Sequence, residues 1–122
     1  MSATSGSNLA DRHCVPCEGD VPALNREQVA PLLSQIQGWD LREVDGHDEI
    51  TKIFKFQNFV QAVDFVNQIT PVAEAEGHHP DLEVSWGRVR VRLWTHVARG
   101  LTENDFVLAA KIDRLQAPSP TP

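Results

Sequence analysis

The feature that most constrains this chain is an apolar alternation that continues across a short polar break. Apolar side chains occupy every second position on each side of that break: Leu82, Val84, Trp86, Val89, Val91 and Leu93. A two-residue turn at Gly87 and Arg88 pairs Trp86 with Val89 and Leu82 with Leu93. All the apolar side chains then share one face, so the pattern predicts a β-hairpin with one buried face.

Three of the five histidines flank this hairpin. His78 and His79 precede its first strand, and His96 follows its second strand. Because the two ends of a hairpin lie side by side, the sequence predicts three imidazoles at one end of one sheet. Imidazole has an ordinary pKa of about 6.5, so it both donates and accepts protons near neutral pH. We therefore interpret this end of the hairpin as a candidate acid–base site.

Two other interpretations of these histidines remain open. Three histidines suffice for a catalytic zinc site, but adjacent residues such as His78 and His79 direct their Cβ atoms apart. Neither HxH nor HxxxH spacing occurs, and we predict no metal ligands. Any one histidine is also an ordinary polar residue at a strand end. The expected convergence of three favours chemistry over that structural role.

The first half of the chain predicts a helix followed by another hairpin. Asn25, with a glutamine three residues later, predicts a capped helix that ends at Gly38. Asp45-Gly46 is a strong signal for a tight turn, and it pairs Leu41 with Ile50 in two antiparallel strands. The first half of the chain therefore supplies two more antiparallel strands, ahead of the histidine-flanked hairpin.

Two further helices are predicted from their end signals. One runs from its cap at Asn58 to Gly77 and is bent at Pro71, and the other opens with a capping box from Thr102 to Asp105. The order is helix, hairpin, helix, hairpin, helix. It predicts an α+β fold with a four-stranded antiparallel sheet and three helices packed on one face.

Both ends of the chain lack apolar periodicity. Residues 1–22 are rich in Ser, Gly, Asp and Pro, and we predict a flexible N-terminal arm there. A single domain is expected over residues 23–116, and the proline-rich residues 117–122 are expected to be a disordered tail.

The arm contains the only two cysteines, Cys14 and Cys17, as one CxxC motif. We interpret them as two reduced thiols, since no second CxxC and no strand–helix pattern accompany them. A zinc knuckle that includes His13 and a redox pair are the alternatives. His13 and His47 have no neighbouring histidines in the sequence, and both are interpreted as surface residues.

Charge and hydropathy exclude several classes of partner. The net charge is −6 and the pI is about 5.2, so a nucleic-acid-binding surface is not indicated. Arg88, Arg90 and Arg92 alternate along a strand, which favours a solvated sheet face over an anion site. No apolar run reaches the roughly 18–20 residues of a membrane span, and no secretory segment begins the chain. The sequence therefore predicts a cytoplasmic protein.

The stretch from Glu74 to Asp105 resembles the signature of the pterin-4a-carbinolamine dehydratases. In that family an acidic residue is followed after three positions by His-His-Pro, and an aromatic residue, a histidine and an aspartate follow at fixed spacings. The residues that meet those spacings are Glu74, His78-His79-Pro80, Trp86, His96 and Asp105. The resemblance extends over about residues 24–115, with Gly38-Trp39, the segment from Phe54 to Phe59, and Gly100-Leu101-Thr102 also family-like.

The resemblance implies an activity and a set of roles. Members dehydrate a 4a-hydroxytetrahydropterin to a quinonoid dihydropterin during tetrahydrobiopterin recycling, without a metal or redox cofactor. By resemblance, His78, His79 and His96 are the expected catalytic residues, with His79 as the main proton-transfer group. Glu74, Thr95 and Asp105 are expected to bind substrate, with Glu74 orienting an imidazole or a pterin nitrogen. For Asp105 we favour a role in capping its helix or in fixing His96 over direct contact with the substrate.

The resemblance also implies partners and carries two departures. Relatives form homodimers and homotetramers, and some act without catalysis as a coactivator of a transcription factor or as an assembly factor for a carbon-fixing enzyme. We expect a pterin substrate, a homo-oligomer and no binding to nucleic acid or membranes. Gly77 stands where relatives often have an acidic residue, and Leu82 where they often have a bulky aromatic. Both departures lie beside the expected pocket.

Overall fold

Helices and hairpins alternate along this chain, as its sequence predicts. The computed structural model describes residues 9–15 and 21–115. Its elements, in order, are α1 (Arg26–Leu33), β1 (Asp40–Val44), β2 (His47–Lys55), α2 (Phe59–Glu76), β3 (Asp81–Ser85), β4 (Arg88–Leu93), a 3-10 turn (His96–Ala98) and α3 (Glu103–Leu115). The predicted α+β class and helix order are confirmed.

The four strands form one antiparallel sheet in the order β1-β2-β4-β3. Its inner face supplies part of a single hydrophobic core, to which α2 and α3 contribute the opposite side. The fully or almost fully buried members include Ile50, Phe54, Val89, Val91 and Leu93 from the sheet, and Phe65, Ile69, Phe106 and Leu108 from the helices. Burial of side chains of this size contributes about 1.5–3 kcal/mol each, so this core is the main source of stability.

The first hairpin is confirmed in detail and the second is shifted. Leu41 pairs with Ile50 across the Asp45-Gly46 turn, as predicted. In the second hairpin Val84 pairs with Val89 and Leu82 with Val91, so the turn is at Trp86 and Gly87 rather than at Gly87 and Arg88.

The shift of the second hairpin has a tertiary cause. With the observed turn, Arg88 belongs to β4 and pairs with Lys55, and the Gly87 carbonyl accepts a hydrogen bond of 2.7 Å from the Phe56 N–H. The predicted pairing lacks these contacts to β2. The register differs by two residues, so the apolar side chains keep their face. Only Trp86 leaves the strand, and it is 70% exposed in the turn.

The helix ends follow their predicted signals with one exception. Asn58 caps α2, and Gly77 ends it in the left-handed conformation with φ of 65°. The capping box at the start of α1 is present, but α1 ends at Leu33 rather than at Gly38. After Leu33 the N–H groups of Gln35 and Ile36 donate three residues back, which tightens the chain out of the α-helix.

Part of the predicted N-terminal arm packs against the domain. Leu9 is fully buried in the core, and Lys111 donates a hydrogen bond of 2.9 Å to the Ala10 carbonyl. The prediction of a free arm is therefore wrong for residues 9–15, since an apolar side chain and several backbone groups find partners on α2 and α3. Cys17, and with it the CxxC motif as a whole, lies outside the described residues, as do residues 1–8, 16–20 and 116–122.

Over the described ranges no helix combines the length and the apolar character that a membrane crossing requires.

Candidate active site

A cleft of about 260 Å³ opens at the end of the sheet where α2 leads into β3 and β4 leads into the 3-10 turn. All three predicted histidines line it. The complete lining is Val15, Gly77, His78, His79, Trp94, Thr95, His96, Val97 and Asn104. The hairpin therefore brings His78 and His96, eighteen residues apart in sequence, to one cleft, as its ends were expected to do.

His78 is the least exposed of the three cleft histidines. It follows the left-handed Gly77, and its backbone N–H donates to the Ala73 carbonyl, so the end of α2 fixes where the side chain starts. The side chain is 11% exposed, and its Nε2 lies 2.6 Å from Oδ1 of Asp105. This is a short, largely buried imidazole–carboxylate pair.

Asp105 anchors a buried hydrogen-bond network in the first turn of α3. It is fully buried, and its Oδ2 accepts from the Thr95 hydroxyl at 2.8 Å and from the Thr102 N–H at 2.9 Å. Thr95 has one hydroxyl proton, so the Thr102 hydroxyl donates in its 2.8 Å contact with Thr95. The predicted capping role of Asp105 is confirmed through the Thr102 N–H.

The expected support of His96 by Asp105 is wrong, because the carboxylate contacts His78 instead. Asp105 has three hydrogen-bond partners and is fully buried, so it does not reach the cleft itself and instead fixes the His78 side chain. An ionised carboxylate only accepts, so His78 donates through Nε2–H, and Nδ1 of the neutral ring keeps a lone pair.

His79 forms a second imidazole–carboxylate pair, at the surface. Its Nε2 is 2.7 Å from Oε2 of Glu74, which lies in the last turn of α2. The two side chains are 60% and 69% exposed, so this pair is open to solvent and free to rearrange. The expectation that Glu74 contacts an imidazole agrees with this geometry.

His96 begins the 3-10 turn and lines the same cleft. The loop that carries it is closed by a hydrogen bond of 2.8 Å from the Thr95 N–H to the Gly100 carbonyl. The His96 ring packs against Trp94, with ring centroids 4.1 Å apart. Thr95 itself is almost fully buried, and its hydroxyl is already engaged with Asp105.

His47 was interpreted as a surface residue, and that interpretation is wrong. Its side chain is 11% exposed and stacks on Trp94, with centroids 3.6 Å apart and the planes inclined by 13°. Its Nε2 also contacts the buried carboxylate of Glu49 at 3.3 Å. No local signal reveals this contact, because it depends on the pairing of β2 with β4.

The N-terminal segment forms a wall of the cleft that sequence reasoning missed. The Asn104 side chain accepts from the Val15 N–H at 3.0 Å and donates to the Val15 carbonyl at 2.7 Å. Glu76 accepts from the Cys14 N–H at 2.7 Å and contacts His13 at 2.9 Å. His13 is 80% exposed, in agreement with its interpretation as a surface residue.

Within residues 9–15 and 21–115, no three His, Cys, Asp or Glu side chains are grouped so that they would hold a metal ion. In the cleft each paired imidazole faces a single carboxylate, an arrangement for proton transfer rather than for coordination.

Comparisons with known proteins agree with the resemblance. The family model for pterin 4 alpha carbinolamine dehydratase matches residues 22–115. A relative from Rickettsia canadensis, provisionally named pterin-4-alpha-carbinolamine dehydratase, is 50% identical over 106 residues, which are 86% of this chain and 94% of the relative. The family-model match includes all three cleft histidines, and the relative is matched over most of this chain.

Two solved structures share the fold. A crystal structure described as a transcriptional coactivator/pterin dehydratase from Brucella melitensis has a TM-score of 0.70 at 35% identity and covers 78% of this chain and 99% of its own. A pterin dehydratase-like protein, described as a RuBisCO assembly factor in the alpha-carboxysome, has a TM-score of 0.56 at 21% identity, covers 68% of this chain and 94% of its own, and shows the fold alone. The chain belongs to the pterin-4-alpha-carbinolamine dehydratase family.

Proposed function

We propose that this protein is a hydro-lyase that removes water from a 4a-hydroxytetrahydropterin and releases a quinonoid dihydropterin. The observation that carries the proposal is a single cleft lined by three imidazoles, two of which are hydrogen-bonded to carboxylates. Family membership supports the pterin substrate, and the geometry supports proton transfer as the chemistry.

The elimination requires two proton transfers and no change in oxidation state. A proton is delivered to the 4a-hydroxyl, the carbon–oxygen bond breaks, and its electron pair leaves with the water. A second proton leaves the ring nitrogen next to that carbon, and the electron pair of that N–H bond forms the carbon–nitrogen double bond. After one turnover the donor imidazole has lost a proton and the acceptor imidazole has gained one, so the two exchange roles in the next turnover. Because the reaction needs only proton transfers, the proposal includes no metal and no redox cofactor.

The three histidines differ in ways that suit these transfers. His79 is the main proton-transfer group, since it is exposed to an incoming substrate and its Nε2 is hydrogen-bonded to Glu74. His78 is fixed by Asp105 and offers Nδ1 as an acceptor. His96 faces them from the 3-10 turn and completes the grip on the pterin as an acid or base partner.

The roles of Glu74, Thr95 and Asp105 follow from their contacts. Glu74 orients His79 and is exposed enough to reach a pterin nitrogen. Asp105 is fully buried and acts on the cleft through His78, whereas Thr95 lines the cleft and its hydroxyl is bonded to Asp105.

The proposal is tested by stopped-flow measurement of dehydration with the parent protein and His79→Ala. We expect the parent to accelerate the reaction and the variant to lose about a hundredfold, the usual contribution of a general acid or base. If the parent and His79→Ala both match buffer alone, the enzymatic proposal fails.

The alternative is a non-catalytic role in dimerisation, coactivation or protein assembly. Its support is that the structural neighbour from Brucella melitensis is described as a coactivator as well as a dehydratase, and that the fold is shared with a protein described as an assembly factor. Large exposed apolar side chains on this chain, among them Trp86, Phe59 and Val60, are compatible with a protein contact. Loss of a partner contact in Trp86→Ala, with an inactive parent, would favour this alternative.

The setting of the enzyme is also part of the proposal. We place it in tetrahydrobiopterin recycling, in the cytoplasm, as a homodimer or homotetramer. The exposed edges of β1 and β3 offer backbone groups for association. Sedimentation velocity of the purified protein decides the number of subunits.

A further inference from the structure

A series of side-chain contacts leads from a buried carboxylate on β2 to the cleft. Glu49 contacts His47, His47 stacks on Trp94, and Trp94 packs against His96. His96 and Trp94 line the cleft, whereas His47 is not among the lining residues. The series therefore connects a buried carboxylate of β2 to one of the three proposed proton-transfer groups.

Stacking, rather than hydrogen bonding, fixes the orientation of Trp94. Its indole N–H is buried and has no hydrogen-bond partner among the described residues. A buried indole N–H normally finds a partner, and leaving it without one costs free energy. The indole packs against the hydrophobic core, and its two ring contacts are those with the imidazoles of His47 and His96.

His47 is itself held firmly by Glu49. The Glu49 carboxylate is 1% exposed and accepts from Nε and Nη2 of Arg92 at 2.8 Å and 3.0 Å. Burial opposes its ionisation, but the hydrogen bonds from Arg92 and His47 outweigh burial and keep the pKa of Glu49 below its ordinary value. An ionised Glu49 only accepts, so His47 donates through Nε2–H and its ring plane is set.

We propose that Trp94, oriented by the His47 ring and by the Glu49–Arg92 pair behind it, is a positioning residue that holds the His96 imidazole at the cleft. The kinetic part of this inference rests on the proposed dehydratase function, but the geometric part does not. Neither Trp94 nor His47 transfers a proton.

The test combines a spectroscopic and a kinetic measurement on the full chain. In the parent, the ring current of Trp94 is expected to shift the His96 Cε1 proton resonance upfield, and Trp94→Leu is expected to remove that shift. His47→Ala should reduce the shift and lower kcat about tenfold, with KM nearly unchanged, since small errors in position cost this much or more. His47→Phe should recover most of kcat, because a flat ring remains to stack on Trp94.

Trp39→Leu is the matched control, since it removes a buried indole that is hydrogen-bonded to Asp113, away from the cleft. It is expected to leave both the His96 resonance and kcat unchanged. An unchanged His96 resonance in Trp94→Leu and in His47→Ala would overturn the inference. The inference would also be overturned if the parent is active and His47→Ala has the same kcat as the parent. An inactive parent would overturn the proposed function alone, and the resonance would still decide whether Trp94 positions His96.

Discussion

The two imidazole–carboxylate pairs in the cleft differ mainly in burial. His78 and Asp105 are enclosed, and the carboxylate has two further donors, so neither side chain has another arrangement available. His79 and Glu74 are more than half exposed, so their contact competes with water. One pair is therefore suited to hold a fixed acceptor and the other to deliver and collect protons.

Asp105→Asn is expected to impair both folding and activity. The amide has one acceptor oxygen, so at least one of the three donors around residue 105 loses its partner, and the free energy of unfolding falls by about 3 kcal/mol. His78 also loses the acceptor that fixes its tautomer, so kcat falls by at least about tenfold. Urea unfolding and stopped-flow dehydration measure the two effects.

Asp113→Asn is the control for that variant, because Asp113 lies on the same helix but bonds Trp39 and Lys52, away from the cleft. It should lose some stability and keep the parent kcat. Parent-like activity in folded Asp105→Asn would contradict the role assigned to the His78–Asp105 pair.

Glu74→Gln is expected to have a small, salt-dependent effect on rate. An exposed pair contributes about 1 kcal/mol or less, so kcat should fall by at most about fivefold at low ionic strength, and the difference should shrink in high salt. Stability should change by less than about 0.5 kcal/mol. Asp64→Asn, which removes an exposed charge from the same helix, should leave kcat unchanged at every salt concentration. A loss of kcat in Glu74→Gln that does not depend on salt would contradict the role of Glu74 as an exposed charge beside His79.

Spacing along the sequence predicted which imidazoles converge but not how they are held. The alternation from Leu82 to Leu93 fixes the ends of a hairpin, and therefore the neighbourhood of His78, His79 and His96. The partner of His78 depends on how closely α3 packs against the end of α2, which no local pattern encodes. The burial of His47 has the same origin, since it follows from tertiary pairing of strands.

At the level of elements, the segment over residues 9–15 extends the domain beyond the matched family region, which begins at residue 22. Leu9 anchors it in the core, and Asn104 pairs with both backbone groups of Val15. Val15 is 65% exposed at the cleft, so its side chain is available to an occupant. The sequence predicted a mobile arm because the segment has no periodic apolar pattern. A single buried side chain, Leu9, leaves no such pattern in the sequence.

Asn104→Ala is expected to release Val15 and to weaken substrate binding. Loss of both hydrogen bonds should accelerate amide exchange at Val15 and raise KM by up to about fivefold, since contact with one or two methyl groups contributes about 1 kcal/mol. Asn58→Ala is the matched control. It removes the α2 cap at a cost of about 1 kcal/mol of stability, and α2 places it some 27 Å from the cleft. Unchanged exchange at Val15 in Asn104→Ala would exclude this anchoring role.

For the whole molecule, buried carboxylates predict sensitivity to acid. Burial opposes the ionisation of Glu49 and Glu76, but their hydrogen bonds and nearby cations outweigh it and lower the pKa of both groups. The pKa of Asp48 is also lowered, by its hydrogen bond with Arg26. A carboxyl group with a lower pKa in the folded state binds fewer protons there than in the unfolded chain. Folding is therefore favoured above the ordinary glutamate pKa of about 4.3 and loses that contribution as the pH falls.

Glu76→Gln isolates one part of this acid sensitivity. The Glu76 side chain is 6% exposed and contacts the Cys14 N–H, His13 and Lys111, so at pH 7 the variant should be less stable by about 2 kcal/mol. Glutamine does not titrate, so the difference in unfolding free energy should shrink as the parent carboxylate is protonated below about pH 4.3. Urea unfolding between pH 7 and pH 3 measures it, with Glu74→Gln as the exposed control on the same helix. A difference that stays constant down to pH 3 would mean that the charge of Glu76 does not hold the N-terminal segment in place.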